Sequence, residues 1–191
     1  MKSISRQCIN VLVAFVVIFV LSIPISVLAE EEEEKDSYVG LDLNVMSLSV
    51  GGETYTPLNL RAKMGLVMFP DLIPVLAFEA HFGFSLTEAT NTVDGNDIAL
   101  NVGNYVGFYT RASYEVEDVV NLYGLLGLAT AQLQGNTKTI GSDTQSGFSL
   151  GLGAGFSLPY DIDGNVEIMQ LVSGKNFDIY MLSFGVSYKI M

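Results

Sequence analysis

Residues 76–86 read LAFEAHFGFSL, and the even-numbered positions of this stretch are apolar. The odd-numbered positions are small, polar or charged: Ala77, Glu79, His81, Gly83 and Ser85. Side chains on a β-strand point alternately to opposite faces, so this period of two predicts a strand with one apolar and one mostly polar face. The stretch therefore predicts β-structure whose two faces meet different surroundings.

The same period recurs along the chain. Leu58–Met68 places Arg61 and Lys63 between apolar residues, and Phe148–Leu158 alternates Gly and Ser with apolar residues. Most of the predicted strands exceed the ~5–6 residues usual in soluble sheets and suit the ~9–11 that cross a bilayer at a tilt. We expect eight strands: Tyr38–Ser49, Leu58–Phe69, Val75–Leu86, Ile98–Tyr114, Asn121–Leu133, Phe148–Leu158, Val166–Ser173 and Phe177–Ile190.

The connections between these strands alternate in character. Three are compact, namely Pro70–Pro74, Glu115–Val120 and Pro159–Asn165, whereas Val50–Pro57, Thr87–Asp97 and Gln134–Gly147 are longer and more polar. A soluble sandwich would also have alternating strands, with its apolar faces packed together. In a membrane barrel the apolar face meets lipid, and the sheet closes because lipid offers no hydrogen bonds to an open edge. The sequence predicts an all-β fold, a closed antiparallel transmembrane β-barrel of about eight strands, with both termini at one end.

The N-terminus has the layout of a secretory signal peptide. Lys2 and Arg6 precede an apolar run, Val11–Leu21, and Val27–Ala29 provides a cleavage pattern. A retained anchor is the alternative, but the run is interrupted short of the ~20 residues that a spanning helix needs. We expect cleavage after Ala29. The predicted organisation is a signal peptide over 1–29, an acidic disordered tail over 30–37 and a barrel domain over 38–191.

Composition narrows the function classes. The formal net charge is −12, which argues against nucleic acid as a partner. The single cysteine, Cys8, lies in the predicted signal peptide, so the mature chain is expected to have neither disulfide nor thiol chemistry. The chain is 49% hydrophobic with a mean hydropathy of +0.39, yet no later apolar run is long enough for a spanning helix.

The last predicted strand carries aromatic and aliphatic residues at every second position, and Met191 follows it. It resembles the C-terminal assembly signal of outer-membrane barrels, which commonly end on Phe or Trp; the matching positions are Phe184, Val186, Tyr188 and Ile190. The overall segment pattern resembles the small OmpA/OmpX-like porin-family barrels. The resemblance implies insertion by the barrel assembly machinery and residence in the Gram-negative outer membrane. We also expect contact with outer-membrane lipids and lipopolysaccharide, and a monomer.

Eight polar residues fall on the predicted lumen faces or at their ends: Arg61, Lys63, Glu79, His81, Tyr105, Tyr109, Arg111 and Glu115. One interpretation is an ion path or ligand site. The other is a network of ion pairs and hydrogen bonds that fills a narrow lumen, which we favour because eight strands leave little room for solute.

Two motifs contain residue types that could form a chemical site. His81 is the only histidine; lipid A deacylases have a catalytic His and Ser on the lipid-facing surface, but here no serine lies two residues on and His81 is expected to face inward. Asp161, Asp163 and Asn165 have the spacing of part of a calcium loop, but the later Glu is missing and an ordinary turn is favoured. We expect no catalytic residue, cofactor or metal. The favoured function is a structural or surface-interaction barrel, with a narrow channel or a lipid-modifying enzyme as alternatives.

Overall fold

The computed structural model describes residues 37–50, 52–67, 75–93, 96–116, 119–135, 143–174 and 177–190. The predicted signal peptide and all of the predicted tail except Ser37 lie outside these residues. Ten strands are present: β1 Ser37–Val50, β2 Glu53–Tyr55, β3 Leu58–Val67, β4 Leu76–Ser85, β5 Ala89–Val93, β6 Asn96–Val116, β7 Val120–Gly135, β8 Asp143–Leu158, β9 Ile162–Ser173 and β10 Phe177–Ile190.

Eight of these strands form a closed antiparallel ring, in the order β1, β3, β4, β6, β7, β8, β9 and β10. The ring closes where β10 pairs with β1, in register from Ser37 opposite Ile190 to Val50 opposite Phe177. Closure gives every strand of the ring a partner on both sides, as lipid requires. The predicted all-β barrel of eight strands is confirmed.

Two short strands lie in connections that were expected to be loops. β2 pairs with the end of β1, and β5 pairs with the start of β6. The prediction of a turn over Pro159–Asn165 was wrong beyond Asp161, because β9 already begins at Ile162. Tyr160 and Asp161 make the reversal with φ angles of 68° and 58°, a conformation that Asp tolerates well.

Both described chain ends lie at one end of the ring, which we call the terminal end; the opposite end is the loop end. Among the described residues, no helix is long and apolar enough to cross a membrane.

The outer wall of the ring has an apolar band. Its side chains are largely exposed, for example Phe108 (67%), Phe148 (76%) and Leu152 (69%). Glycines and charged or polar residues lie on the opposite face of the same strands, inside the ring. This is the inverse of a soluble sheet and matches a wall solvated by lipid.

The pattern inverts toward the loop end. On the outer face of β7, Leu126 and Leu128 are followed by Thr130, Gln132 and Gln134. On the inner faces, polar residues give way to a buried apolar cluster, which we call the apolar layer: Met46, Leu48, Tyr55, Leu100, Val102, Ala131, Leu133, Leu171, Val172 and Ile179. An apolar interior behind a polar outer wall is typical of a protein surrounded by water. The strands therefore extend beyond the lipid band at the loop end.

Bulges in two strands help to build the apolar layer. The register between β6 and β7 shifts between Val102 and Asn104, and that between β9 and β10 shifts at Leu171. A bulge moves the following residues to the other face of the sheet. As a result Leu171 and Val172, although consecutive in the chain, are both buried.

Candidate functional site in the barrel lumen

The interior of the ring below the apolar layer holds a group of buried polar side chains. Eight of them, which we call the charged layer, are Asp42, Arg61, Lys63, Glu79, His81, Arg111, Asn165 and Glu167. Alternation along β1, β3, β4, β6 and β9 turns all of them inward.

Asp42 is the centre of one half of the charged layer. Its Oδ2 accepts a hydrogen bond from Arg61 Nε at 2.7 Å, and its Oδ1 lies 3.1 Å from Lys63 Nζ. Asn165 donates from Nδ2 to the same Oδ1 at 2.9 Å and accepts from Lys63 Nζ at 3.0 Å. The carboxylate thus receives several charge-assisted or amide hydrogen bonds, which offsets the loss of water around a buried charge.

Arg61 connects this half to the far side of the lumen. Its Nη1 lies 2.6 Å from Glu167 Oε1, with both side chains almost completely buried. The other oxygen of Glu167 accepts a hydrogen bond from the Tyr123 hydroxyl at 3.1 Å. One guanidinium therefore bridges β1 and β9, and a tyrosine on β7 holds the second carboxylate.

His81 and Glu79 form the other half. His81 Nε2 lies 2.6 Å from Glu79 Oε2, and His81 Nδ1 lies 3.4 Å from Arg61 Nη1. Because a guanidinium only donates, Nδ1 must accept, which places the imidazole proton on Nε2, where it is donated to Glu79. Arg111 Nη1 is 3.1 Å from Glu79 Oε1, and the Tyr38 hydroxyl donates to the same oxygen.

The charged layer is electrically balanced. Arg61, Lys63 and Arg111 supply three positive charges, and Asp42, Glu79 and Glu167 supply three negative ones. With a neutral His81 the layer carries no net charge. Equal numbers of positive and negative charges fit a group of side chains that neutralise one another, because an unpaired charge buried at low dielectric would be strongly destabilising.

Tyrosines and glycines fill the remaining space in pairs. Four tyrosine rings lie over inward glycines at the paired register position of the adjacent strand, so that a Cβ on the glycine would overlap the ring. The pairs are Tyr38 over Gly65, Tyr105 over Gly83, Tyr109 over Gly127 and Tyr123 over Gly153. Glycine is needed at these positions because any larger residue would push the ring into the charged layer.

The apolar layer lies directly on the loop-end side of the charged layer. Along β1, Asp42 and Asn44 are followed by Met46 and Leu48, and all four are essentially unexposed. The hydroxyl of Tyr105 points to Met181 Sδ at 3.6 Å, at the boundary between the two layers. A hydrated ion would have to break the ion pairs and then cross an apolar section.

Four buried atoms near the boundary have no hydrogen-bond partner among the described residues: Asn44 Oδ1, Asn59 Nδ2, Ser183 Oγ and Arg61 Nη2. Asn44 is the register partner of both Asn59 and Ser183. Three of these four atoms therefore lie next to the apolar layer, outside the charged layer, and the fourth, Arg61 Nη2, belongs to the charged layer itself.

Of the eight residues expected in the lumen, the structure links Arg61, His81, Glu79 and Arg111 directly by ion pairs or hydrogen bonds, and it joins Lys63 to Arg61 through Asp42. Tyr109 stacks at 4.4 Å between ring centroids on His81, and Tyr105 is buried beside it. Glu115 does not belong to the group. By alternation along β6 it belongs to the inward-facing side, but its side chain is exposed near the terminal end of the strand, where water reaches it.

Sequence reasoning missed Tyr38, Asp42, Tyr123, Asn165 and Glu167. A signal existed for Asp42 and Glu167, since each alternates with apolar residues on both sides. The spacing of Asp161, Asp163 and Asn165 predicts a turn, but Asp163 and Asn165 lie on β9 and Asn165 points into the lumen. The expectation of a single turn was wrong there. Among the described residues, no cluster of three or more His, Cys, Asp or Glu could hold a metal ion.

The expected assembly residues lie on the outer wall of β10. Phe184, Val186 and Tyr188 are each about half exposed, and Ile190 is opposite Ser37 at the closing pair. Their side chains continue the apolar band of the wall.

A closed eight-stranded ring with an apolar wall and a lumen filled by balanced charges defines a small membrane β-barrel. The family model described as "Outer membrane protein beta-barrel domain" matches residues 14–189. The chain belongs to this family of outer-membrane barrels, and the Gram-negative outer membrane is its location. No curated protein sequence matches it.

Solved structures share the fold at low sequence identity. Neisserial surface protein A has a TM-score of 0.59 at 17% identity, covering 80% of this chain and 96% of that one. Ail, the attachment invasion locus protein of Yersinia pestis, solved in complex with the heparin analogue sucrose octasulfate, has a TM-score of 0.57 at 15% identity, covering 80% and 97%. The N-terminal barrel of Pseudomonas aeruginosa OprF scores 0.51 at 12% identity, covering 78% and 96%.

Proposed function

We propose that this chain is a non-conducting outer-membrane barrel with a structural or surface-interaction role. One observation carries the proposal: the charged layer and the apolar layer are stacked in series across the lumen. Each would oppose an ion for a different reason, the first by its ion pairs and the second because its described side chains are almost all apolar. The loop end and the outer wall are then the surfaces available for function.

Planar-bilayer recording tests this proposal against the narrow channel. The purified full chain is added at increasing amounts, and its folded state is verified by the slower gel migration of the unfolded form after boiling. We expect no steady current at any amount. Discrete, reproducible conductance steps that scale with inserted protein would overturn the proposal.

A lipid-modifying enzyme is not supported by the surroundings of His81. The side chain is completely buried, its ring nitrogens face Arg61 and Glu79, and it lies on the lumen side. An imidazole held in this way cannot reach a lipid on the outer wall or activate a serine there. Comparison of outer-membrane lipid profiles with and without the protein tests this point, and a missing lipid A modification would contradict it.

The ligand of Ail is not expected to transfer to this chain. The charged residues that the structure describes toward the loop end are all acidic: Glu53, Glu88, Asp97, Asp143 and Asp178. Repulsion would oppose a polysulfated sugar. We therefore expect no binding of sucrose octasulfate in a direct titration, where binding would argue for a site formed elsewhere.

The remaining expectations follow from the family. Export with cleavage after Ala29, insertion by the barrel assembly machinery, contact with outer-membrane lipids and lipopolysaccharide, and a monomeric state are parts of this proposal. The exposed apolar band supports lipid contact, and the closed ring supports a monomer because every strand of the ring already has two partners.

A further inference from the structure

Three methionines lie in one row across neighbouring strands of the ring. Met46 on β1 is opposite Met181 on β10, which is in turn opposite Met169 on β9. All three side chains face the lumen and are almost completely buried. The Cβ atoms of directly opposite residues are about 4.5–5.5 Å apart, so the flexible side chains at these positions can bring their sulfur atoms together. We call these three residues the methionine row.

The methionine row differs from the apolar residues next to it. One inward position closer to the loop end, the same strands carry Leu48, Ile179 and Val172, which are also opposite one another. Branched aliphatic side chains fill the lumen there without sulfur, so packing does not require a thioether on each strand of the adjacent row. The other methionine that the structure describes, Met64, lies on the outer wall.

The sulfur of Met181 lies well inside the lumen. β6 and β10 are on opposite sides of the eight-stranded ring, yet the Tyr105 hydroxyl on β6 is 3.6 Å from Met181 Sδ. A contact across the ring requires the thioether to extend away from its own strand. On β8, a Cβ at Gly151 would lie 3.1 Å from Met169 Cε, so glycine leaves space for the end of that side chain. Thioether groups of the methionine row are thus directed into the interior.

Buried oxygen atoms lie on the terminal side of the methionine row. On β1 the inward neighbour of Met46 is Asn44, whose Oδ1 is buried without a hydrogen-bond partner among the described residues. On β9 the inward neighbour of Met169 is Glu167, a buried carboxylate. The negative charge on these oxygens would offset that of a cation held by the row. Because the charged layer is already balanced, one additional positive charge is less destabilising there than two.

We propose that the methionine row binds a soft monovalent metal ion, copper(I). Thioether sulfur is a soft ligand that selects copper(I), whereas Mg²⁺ and Ca²⁺ take oxygen ligands. Binding changes no oxidation state, because the ion only exchanges its water for the sulfur atoms of Met46, Met169 and Met181. The ion is enclosed when the ring closes, since the charged layer lies on one side of the row and the aliphatic part of the apolar layer on the other.

Retention of silver(I) by the full chain tests this proposal. Silver(I) is the probe because it has the charge and the sulfur preference of copper(I) and is stable in air. The parent for all measurements is Cys8→Ser, since a thiol would compete with the thioethers. The protein is folded into lipid vesicles with silver nitrate in chloride-free buffer and is then separated from unbound ion. We expect about one silver ion per chain. A folded parent that retains no silver would overturn the proposal.

Methionine-to-leucine variants locate the bound ion. Leucine has nearly the volume of methionine and is tolerated in cores, but it has no sulfur. M181L, in the middle of the row, should weaken silver binding at least about tenfold, whereas M64L on the outer wall should leave it unchanged. Equal retention by the parent and M181L, both shown to be folded by heat-modifiable migration, would overturn the proposal. A loss in M64L as large as that in M181L would also overturn it.

Methyl NMR gives a readout that does not depend on folding of a lumen variant. With isotope-labelled methionine methyl groups in the parent, we expect silver to shift the signals of Met46, Met169 and Met181 and to leave that of Met64 in place. Unchanged signals from the three buried methionines would contradict the site.

The order of addition separates this inference from the proposed function. Silver supplied before folding should be retained, and silver added to the folded barrel should enter far more slowly. Rapid uptake by the folded barrel at the methionine row would support the site and contradict the closed lumen. Retention in neither order refutes the site and leaves the proposed function standing.

Discussion

Arg61 on β3 and Glu167 on β9 form a buried ion pair at 2.6 Å, although 106 positions separate them in the chain. Arg61 also bonds Asp42 on β1, so one side chain ties three strands together inside the lumen. The charged layer is therefore a long-range restraint on how the ring closes, as well as an obstacle in its interior.

Removal of this guanidinium should be strongly destabilising. R61M leaves Glu167 and part of Asp42 without a counter-charge in a buried site, which costs about 3–5 kcal/mol. The free energy of unfolding in urea, measured in lipid vesicles, checks this. The double variant R61M/E167Q restores charge balance and should recover part of the loss; a double variant less stable than R61M would contradict the account of balance.

The tyrosine–glycine pairs predict a difference between two neighbouring glycines of β8. A Cβ on Gly153 would lie 2.3 Å from Tyr123 Cζ, whereas one on Gly155 has ordinary contacts at 3.7 Å. G153A should destabilise the barrel by about 1–3 kcal/mol through overpacking. G155A, on the same face, should change the free energy of unfolding much less. Equal effects would show that the ring of Tyr123 is not held over the sheet.

The boundary of the lipid band can be located on the outer face of β7. L126R places a charge in the middle of the apolar run and should cost about 2–4 kcal/mol. Q134R, on the same face but beyond the run, should be close to neutral. Unfolding in vesicles compares the two, and a similar cost at both positions would contradict the inversion of the pattern at the loop end.

Two buried serines should respond differently to loss of their hydroxyls. The Ser149 hydroxyl bonds the carbonyl of Gln170 at 2.9 Å and the hydroxyl of Tyr109 at 3.3 Å. That of Ser183 is buried without a partner among the described residues. S149A should lose about 1 kcal/mol and S183A should be neutral or stabilising. An S183A variant as unstable as S149A would indicate a hidden bond at Ser183.

The strands of the ring were predictable because lipid imposes a strict period of two where it contacts the wall. The period blurs at Asn104, Thr130 and Gln132, and the structure supplies the reason: these residues lie above the lipid band, where the outer wall is polar. The bulges near Val102 and Leu171 also break the parity. In a single sequence, neither the passage of a strand from lipid into water nor a bulge produces a simple hydrophobic pattern.

The charged layer was only partly predictable. On strands that the sequence predicts correctly, alternation identifies inward-facing residues such as Arg61 and Glu79. It failed at Asn165, since the start of β9 was assigned to a turn. Alternation also placed Glu115 among the lumen residues, because it gives the face of the sheet on which a residue lies but not its height along the barrel. Which inward residues meet across the ring depends on closure and stagger of the strands, a tertiary property.

Accessibility of the apolar layer tests the closed lumen most directly. Ala131 points into this layer and is unexposed, while its neighbour Thr130 lies on the outer wall. In a Cys8→Ser background, A131C and T130C each carry a single thiol, and both are treated with a charged thiol reagent in the folded state. The account predicts that T130C reacts and that A131C reacts only after unfolding. Reaction of A131C at the rate of T130C would contradict it.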